Sequence, residues 1–446
     1  MPSGHAIGST LASIGDSRPK AARLPRATVG AWALLPLLVI YVLVWALLRP
    51  GPSPVGDEGP LLGAAQRLAE GQYAVTTAAN GTKFLWHGPG LPAVLSPLVE
   101  LRVPLADIRL LGPLLLFAAT LAFYRLLRLR LSRRAALIGA YALGLYAPAY
   151  ETLPSLHKEP LALLLVVVAM DAGTRYTRHG RRRHLAIAGL ALGGLVMTRL
   201  EYGWVVTALA AAAALWWLRE RRARPEQSRT RRASRWALVA FAGFTACLPW
   251  LAYTYDLTGH LFYWGNSGGL QLFWMAQSGS GQLGQWHAVH TVFNDPRLAI
   301  YRPFFRYLKT LNPLQADLAL RHAALTGALR HPATYFVNVL ANLGRIFVGA
   351  PFSFALPAAV LTGLVAFNVA LLAAVTAAAT RVARARGALP HEAVPFLVFG
   401  ALAFALHLLP SAEPRMIIPV IPVLVWLIAH ALIRPLPGGR EPLVTA

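Results

Sequence analysis

The chain has 446 residues and a formal net charge of +24, yet only 13% of its residues are charged and 56% are hydrophobic. Soluble domains carry about 25% charged residues, so this composition excludes a soluble globular protein and predicts an integral membrane protein. The basic residues stand in short clusters between apolar runs, which is typical of cytoplasmic loops. We therefore expect membrane lipid as a partner and no nucleic acid. The single cysteine, Cys247, excludes a disulfide within the chain.

Taken in chain order, about ten apolar segments approach the length of about 20 residues that a transmembrane helix needs. They are 31–48, 108–127, 135–150, 160–173, 185–198, 203–218, 236–253, 355–380, 393–409 and 416–433. Segment 90–101 is apolar but too short to cross and contains two prolines, so we expect a helix lying at the membrane interface. The predicted fold class is an all-α polytopic membrane protein with about ten transmembrane helices and juxtamembrane helices on its outer face.

The distribution of basic residues predicts the orientation of these spans. With the N-terminus in the cytoplasm, 27 of the 42 Lys and Arg residues fall on inner segments, as the positive-inside rule requires. Residues 1–30 and 434–446 are then cytoplasmic tails around a membrane domain at 31–433. Its large outer segments are 49–107 and 254–354. We expect a multi-pass protein of the plasma (inner) membrane whose function lies at the extracytoplasmic face.

Two adjacent carboxylates, Asp57 and Glu58, follow the first predicted span at the start of a predicted helix. Such a pair can supply a general base or hold a divalent cation. It also suits the positive end of a helix, where Asp57 alternatively serves as the capping acceptor. We expect Asp57 and Glu58 to be catalytic. A divalent cation is the one cofactor that the pair suggests, although two carboxylates do not define a metal site.

Further charged residues stand near the ends of predicted spans on the same outer side. They are Lys83, His87, Lys158, Glu159, Arg199, Glu201, Glu413 and Arg415. Each alone also fits a boundary marker or a snorkelling side chain. Together they place carboxylates and cations on one face, which a reaction with a phosphate leaving group needs. We expect all eight to bind substrate, and Lys83 and His87 suit a lipid phosphate near the membrane surface.

The outer segment 254–354 contains an aromatic and amide-rich stretch at 262–286. Asn266 and Gln271 within it are candidates to bind a sugar, although Tyr and Trp are equally expected at a membrane interface. Segments 314–330 and 332–347 have the periodicity of amphipathic helices. In the first, Leu325 and Leu329 belong to the predicted apolar face.

Short motifs follow one another along most of the chain. They are Gly-Asp-Glu at 56–58, His-Gly-Pro-Gly-Leu-Pro at 87–92, Asn-Ser-Gly-Gly-Leu-Gln-Leu at 266–272, His-Pro at 331–332 and Glu-Pro-Arg at 413–415. This order resembles GT-C membrane glycosyltransferases, in particular the dolichyl-phosphate-mannose protein mannosyltransferase-like and lipid A aminoarabinose transferase-like families. The sequence departs from the aminoarabinose branch at His87-Gly88, where that branch has Lys-Pro.

The resemblance implies transfer of a sugar from a polyprenyl-phosphate carrier to a glycan, lipid or protein acceptor at the outer face. It also implies that Asp57, which matches the acidic residue of the family's first outer loop, is important for catalysis. An alternative of another class is a transporter or flippase of lipid-linked sugars. Such a protein is expected to hold ionisable residues near the middle of its spans, and here most strongly polar residues stand at span ends.

Overall fold

The structure is a computed structural model that describes residues 31–73, 85–222, 227–277, 281–351, 358–384 and 390–432. Within these ranges all regular secondary structure is helical and no strand occurs. The predicted all-α class is therefore confirmed. Both predicted tails and Lys83 lie outside the described residues.

Most of the candidate residues stand at the ends of helices in the first half of the chain or in the connections between these helices. In chain order the helices are α1 Leu35–Leu48, α2 Glu58–Ala69, α3 Gly90–Glu100, α4 Leu105–Ile108, α5 Leu111–Arg128, α6 Arg133–Gly144, α7 Ala147–Tyr150, α8 Glu159–His179, α9 Arg182–Thr198 and α10 Tyr202–Arg222.

The second half continues with further membrane helices on either side of a long helical segment. These are α11 Gln227–Ala246, α12 Leu248–Thr258, α13 Gly268–Ala276, α14 Val289–Asn294, a 3-10 helix Pro296–Tyr301, α15 Arg302–Leu308, α16 Pro313–Arg330, α17 Pro332–Val348, α18 Ala358–Arg384, α19 Ala393–Leu408, a second 3-10 helix Pro414–Val420 and α20 Ile421–Leu432.

Among the described residues, the helical stretches long and apolar enough to cross a membrane are Leu105–Arg128, Glu159–His179, Ala233–Thr258, Leu361–Arg384 and Pro414–Leu432. These stretches make the chain a multi-pass membrane protein. The shorter apolar helices are Leu35–Leu48, Gly90–Glu100 and Ala393–Leu408. Every predicted span overlaps a helix, but the predicted number of ten is not confirmed.

The charged residues separate to opposite ends of the membrane helices. At one end, Glu392 before α19 pairs with Arg130 at 2.9 Å and with Arg178 at 3.1 Å. Arg235 of α11 donates to the carbonyl of Thr177 there at 2.6 Å. We call this the basic end. The N-terminus of α8 and the C-terminus of α9 lie at the other end, which we call the site end because the candidate residues gather there.

The two ends provide a direct test of the predicted orientation. Reporter fusions at Arg130 and Arg182, which flank helices at the basic end, should both give a cytoplasmic signal. The reason is the excess of Lys and Arg on these segments, which resist translocation. Alkaline phosphatase and green fluorescent protein fused at each position measure it. An extracytoplasmic signal at either position would contradict the predicted topology.

Close glycine packing brings the loop before α3 against the end of α9. A Cβ atom at Gly88 would lie 2.0 Å from the carbonyl oxygen of Met197, and one at Gly90 would lie 2.5 Å from the Oγ1 atom of Thr198. No larger residue fits at either position without moving this backbone. The expected helix at 90–101 is present as α3, and its glycine-containing loop brings His87 to the residues that follow Thr198.

Helices α13 and α16 are joined by a buried carboxylate. Asp317 of α16 accepts hydrogen bonds from the Gly269 amide at 2.9 Å and the Tyr263 hydroxyl at 3.0 Å. Arg321, one turn later, donates to Asp317 at 2.7 Å and to the Gly265 carbonyl at 2.9 Å. These bonds hold the glycine-rich segment in one conformation beside the site end.

The predicted ranges of α16 and α17 agree with the structure, and the leucines of the predicted apolar face of α16 point away from the rest of the protein. Leu325 is 61% exposed and Leu329 is 73% exposed, whereas Asp317, Leu320 and Ala324 are buried. The physical reason is that Asp317 makes the hydrogen bonds described above, so the helix turns its acidic residue inward.

Candidate functional site

Residues from separate parts of the chain meet at the site end of the helices. We call them the charged cluster: Asp57, His87, His157, Lys158, Glu159, Arg199, Glu201, Glu413 and Arg415. Their segments are the start of α2, the loop before α3, the loop before α8, the α9–α10 connection and the segment preceding α20. The fold therefore brings most of the predicted charged site residues together, although they are up to several hundred residues apart in the sequence.

Glu58 is fully buried and its carboxylate is held by the protein on both oxygens. Arg109 donates to Oε1 at 2.9 Å through Nε and to Oε2 at 2.7 Å through Nη2. The backbone amides of Leu156 and Val55 add bonds of 2.8 and 2.9 Å. Burial alone would raise the pKa of Glu58, but these hydrogen bonds reverse that effect and the pKa is lowered.

Arg109 also fixes the segment that precedes the acidic pair. Its guanidinium donates to the carbonyls of Pro50, Gly51 and Ser53 at 3.1, 2.8 and 3.0 Å. Only 1% of the Arg109 and Glu58 side chains is exposed. The catalytic role expected of Glu58 stays a prediction, and both of its oxygens already accept hydrogen bonds from the protein. The Glu58–Arg109 pair fixes the backbone on either side of Asp57.

Asp57 directly precedes α2, but its side chain accepts no capping hydrogen bond from the helix. The capping alternative for Asp57 was therefore wrong. Its carboxylate is partly exposed and acts electrostatically on two histidines, since it favours the charged forms of both His87 and His157. Asp57 thus faces the charged cluster and keeps its carboxylate available to a bound molecule.

His87 and Lys158 form a contact between the loop before α3 and the N-terminus of α8. The Lys158 ammonium donates to Nδ1 of His87 at 3.1 Å. Burial and the Lys158 charge lower the pKa of His87 to about 3, so the imidazole is neutral and carries its proton on Nε2. Within the described ranges Lys158 forms no ion pair, which distinguishes it from Arg199 and Arg415 of the same cluster.

His157 links the loop before α8 to the segment before α20. Arg415 donates to Nδ1 of His157 at 2.7 Å, and Nε2 lies 3.0 Å from the Ser155 hydroxyl. Burial lowers the pKa of His157, in agreement with a neutral ring that donates from Nε2. Arg415 also donates to Glu413 at 2.8 Å. These bonds attach the predicted Glu-Pro-Arg motif to the centre of the cluster.

Arg199 is buried between two carboxylates. It donates to Glu159 at 3.2 Å and to Glu201 at 2.7 Å. Burial alone would raise the pKa of Glu201, but Arg199 and Lys158 lower it to about 2. Arg199 thus joins the N-terminus of α8 to the α9–α10 connection, and its predicted substrate-binding role stays a prediction.

Backbone hydrogen bonds hold Asn266 and Gln271 beside the charged cluster. The Asn266 amide donates to the Leu85 carbonyl at 3.2 Å, two residues before His87. The Gln271 carbonyl accepts from Ser411 at 3.3 Å, two residues before Glu413. The Asn266 side chain is 6% exposed, and its Oδ1 atom has no hydrogen-bond partner in the described part of the chain. This acceptor is a candidate contact for a bound hydroxyl.

Sequence reasoning missed Arg109, and it singled out neither His157 nor Glu151 as a site residue. The signal for Arg109 was an arginine at the edge of an apolar run, which also fits a membrane boundary. His157 and Glu151 stand in the same short loop as Lys158.

The donor atoms of the cluster do not form a metal site. Among the described residues no three His, Cys, Asp or Glu side chains are placed to hold a metal ion. Glu58, one of the two carboxylates that suggested a divalent cation, already accepts four hydrogen bonds from the protein. We therefore assign no step to a metal ion.

No protein-family model matches the chain, and no curated protein matches it. Among solved structures it is similar to the oligosaccharyltransferase AglB from Archaeoglobus fulgidus, in complex with an inhibitory peptide and a dolichol-phosphate. The identity is 14% and the TM-score 0.48 over 90% of this chain, which spans only 50% of that protein. It is also similar to ArnT from Cupriavidus metallidurans bound to undecaprenyl phosphate, with 15% identity and a TM-score of 0.41 over 90% of this chain and 78% of ArnT. Both are GT-C glycosyltransferases, the family that the sequence resembles.

Proposed function

We propose that the chain is a glycosyltransferase that moves a sugar from a polyprenyl-phosphate carrier to an acceptor at the extracytoplasmic face. The observation that carries this proposal is the charged cluster itself. It combines Asp57, a carboxylate that forms no ion pair among the described residues, with cations at the end of a membrane helix bundle. A lipid phosphate arriving from the membrane needs the cations, and an acceptor hydroxyl needs the carboxylate.

The proposed reaction is a single displacement at the anomeric carbon of the sugar. The acceptor oxygen forms a bond to this carbon while the bond between the carbon and the carrier phosphate oxygen breaks. The carrier phosphate leaves with the electron pair of that bond. The acceptor's proton passes to the Asp57 carboxylate. Positive groups beside the leaving phosphate stabilise the charge that develops on it.

Lys158 is the cation best placed to bind the carrier phosphate. Its contact with His87 is to a neutral ring, so its charge is not cancelled by an adjacent carboxylate within ion-pair distance. His87 presents a second donor, Nε2–H, to the same ligand. Arg415 is bound to Glu413 and His157, and we propose that it contributes charge to the phosphate from the opposite side of the cluster.

Other residues hold this arrangement or face the sugar. Glu58, Glu159, Arg199 and Glu201 form the ion pairs that position the reacting groups. Asn266 offers its unpaired Oδ1 to a sugar hydroxyl, and Gln271 lies on the neighbouring helix. Lys83, for which the sequence predicts phosphate binding, remains a candidate on that basis alone. The acceptor can be a glycan, a lipid or a protein.

A reconstituted assay tests the proposal. The purified full chain is placed in liposomes with polyprenyl-phosphate pentoses and hexoses labelled in the sugar, together with a membrane extract as the acceptor source. We expect labelled acceptor and release of polyprenyl phosphate in equal amounts. Movement of the intact labelled carrier between leaflets, without cleavage of the sugar–phosphate bond, would contradict the transferase proposal and show that the protein is a flippase.

Replacing Lys158 by alanine should raise the KM for the donor more than it lowers kcat. A charged hydrogen bond contributes about 1.5–3 kcal/mol, so kcat/KM should fall about 10- to 100-fold. Lys158→Arg should restore part of this loss, because a cation remains. Steady-state kinetics with varied donor measure the effect. The matched control is Lys309→Ala, which removes a lysine stacked on Phe293 in the outer segment. An unchanged donor KM in Lys158→Ala would contradict the assignment.

A further inference from the structure

An apolar crevice opens between the membrane helices at a distance from the charged cluster. Side chains of α8, α9, α10, α11 and α19 line it, and every lining residue is apolar. Its empty volume, including space open to the surroundings, is about 740 Å³. Trp216, Trp236, Phe396 and Phe399 supply the aromatic part of the wall. Such a wall suits a hydrocarbon chain and offers nothing to a sugar.

One wall of the crevice begins at the basic end. On α19 the first lining residue, Val394, is only two residues beyond Glu392. On α8, α9 and α10 the lining residues stand further inside the helices; Val166, for example, is seven residues beyond Glu159, a distance of about 10 Å along a helix that rises 1.5 Å per residue. A chain can therefore enter the crevice along α19 from the basic end.

Arginines surround this entrance with an excess of positive charge. Arg130 and Arg178 share the single carboxylate of Glu392. Arg235 adds a third guanidinium, bonded to the Thr177 carbonyl and positioned directly before Trp236 in α11. Among the described residues these three arginines surround the carboxylate of Glu392, so basic groups outnumber acidic ones at this rim. A negatively charged headgroup complements this rim, whereas a zwitterionic headgroup gains much less from it.

A hydrogen-bond donor lies between the basic rim and the apolar crevice. The six-membered ring of Trp236 packs against Gly173, where an added Cβ would lie 2.7 Å from Cζ3. Its Nε1 atom, on the opposite edge of the indole, is buried and has no hydrogen-bond partner among the described residues. The ester carbonyl of a glycerolipid can accept from this N–H. An isoprenoid chain cannot, because it has no acceptor atom.

We propose that this crevice binds one acyl chain of an anionic diacyl phospholipid. The phosphate lies at the rim formed by Arg130, Arg178 and Arg235, an ester carbonyl accepts from Trp236, and the acyl chain fills the crevice. The lipid is thus a bound structural ligand at the end of the molecule opposite the proposed reaction. This inference does not depend on the proposed transferase activity.

Photolabelling of the full chain in nanodiscs tests the proposal. The discs consist of phosphatidylcholine with a small fraction of phosphatidylglycerol that carries a diazirine in one acyl chain, and parallel discs carry the diazirine on phosphatidylcholine. One basic residue near a membrane surface strengthens binding of anionic lipid about fivefold. We expect phosphatidylglycerol to label α10 and α11 beside the crevice at least about fivefold more than phosphatidylcholine.

Variants separate the three parts of the proposed site. Ala212→Trp fills the crevice and should abolish this label, whereas the control Ala211→Trp on the exposed side of α10 should not. Arg178→Gln and Arg130→Gln should each reduce the preference for phosphatidylglycerol. The control Arg381→Gln, an exposed arginine near the end of α20, should leave it unchanged. Trp236→Phe should weaken labelling by both lipids, because both carry esters, and Trp204→Phe serves as its exposed control.

Several outcomes would overturn the assignment. Equal labelling by the two lipids would exclude headgroup recognition. Label that persists in Ala212→Trp would place the lipid outside the crevice. If Ala212→Trp instead raises the KM for a polyprenyl donor and leaves phospholipid labelling intact, the donor chain is the occupant. Melting temperatures in the same discs identify any variant that is merely unfolded, and the comparison of lipids in the unmodified protein needs no variant.

Discussion

Replacing Asp57 by asparagine should lower the turnover of the proposed transfer by about two to four orders of magnitude. This is the usual contribution of a general base, and asparagine cannot accept the proton. The measurement is kcat with saturating donor and acceptor in the reconstituted assay. Binding of donor should change little, because the Asp57 carboxylate does not bind the phosphate in the proposed arrangement.

The same variant should fold normally. Asp57 makes no capping hydrogen bond, and asparagine is as favourable as aspartate at the start of a helix. Membrane abundance and melting temperature should therefore match those of the unmodified protein. Asp107→Asn, at an exposed aspartate in the short helix α4, is the matched control and should retain full turnover. Near-normal transfer by Asp57→Asn would exclude Asp57 as the base.

Replacing Arg109 by methionine should destabilise the protein by about 3–5 kcal/mol. This is the typical result of removing one partner from a buried ion pair, because the remaining charge is left without compensation. Here the remaining charge is Glu58, and the carbonyls of Pro50, Gly51 and Ser53 also lose their donor. Chemical unfolding in detergent micelles, followed by tryptophan fluorescence, measures the loss.

The double variant Glu58→Gln with Arg109→Met separates the ion pair from the remaining contacts. It should be more stable than Arg109→Met alone, because glutamine carries no charge and its one carbonyl oxygen still accepts from the backbone amide of either Val55 or Leu156. Arg67→Met, which removes an arginine from the last turn of α2, should have little effect. If Arg109→Met unfolds at the same denaturant concentration as the unmodified protein, the pair does not hold this loop.

The sequence allowed the helices to be predicted well, because hydrophobic length and the absence of charge are local properties. It also identified most of the charged cluster, since charges at the ends of apolar runs stand out in so apolar a chain. The number of spans was harder to predict. Helix α10, for example, continues beyond the predicted end at 218 to Arg222. The arginines of its last turn lengthen the helix without lengthening its apolar part.

Partners of the charged side chains could not be predicted. Glu58 looked like a second catalytic carboxylate, and nothing local indicates that Arg109, 51 residues later, would neutralise it. Arg130 and Glu392 are 262 residues apart, so their pairing depends on which helices become neighbours. The same limit applies to α16, where the periodicity of leucine predicted an apolar face but could not indicate that Asp317 would bond to Tyr263 and Gly269 on the opposite side.

The Glu159–Arg199 pair has a consequence for how the chain is made. The two residues are 40 positions apart, at the N-terminus of α8 and just after α9, which are consecutive antiparallel helices. Chains emerge from the ribosome N-terminus first, so this hairpin can neutralise its own opposite charges as soon as both helices have been synthesised. Arg415, in contrast, is synthesised only after α19. The nascent protein can thus neutralise the charges of Glu159 and Arg199 early, while the charged cluster is completed only when the segment preceding α20 has been made.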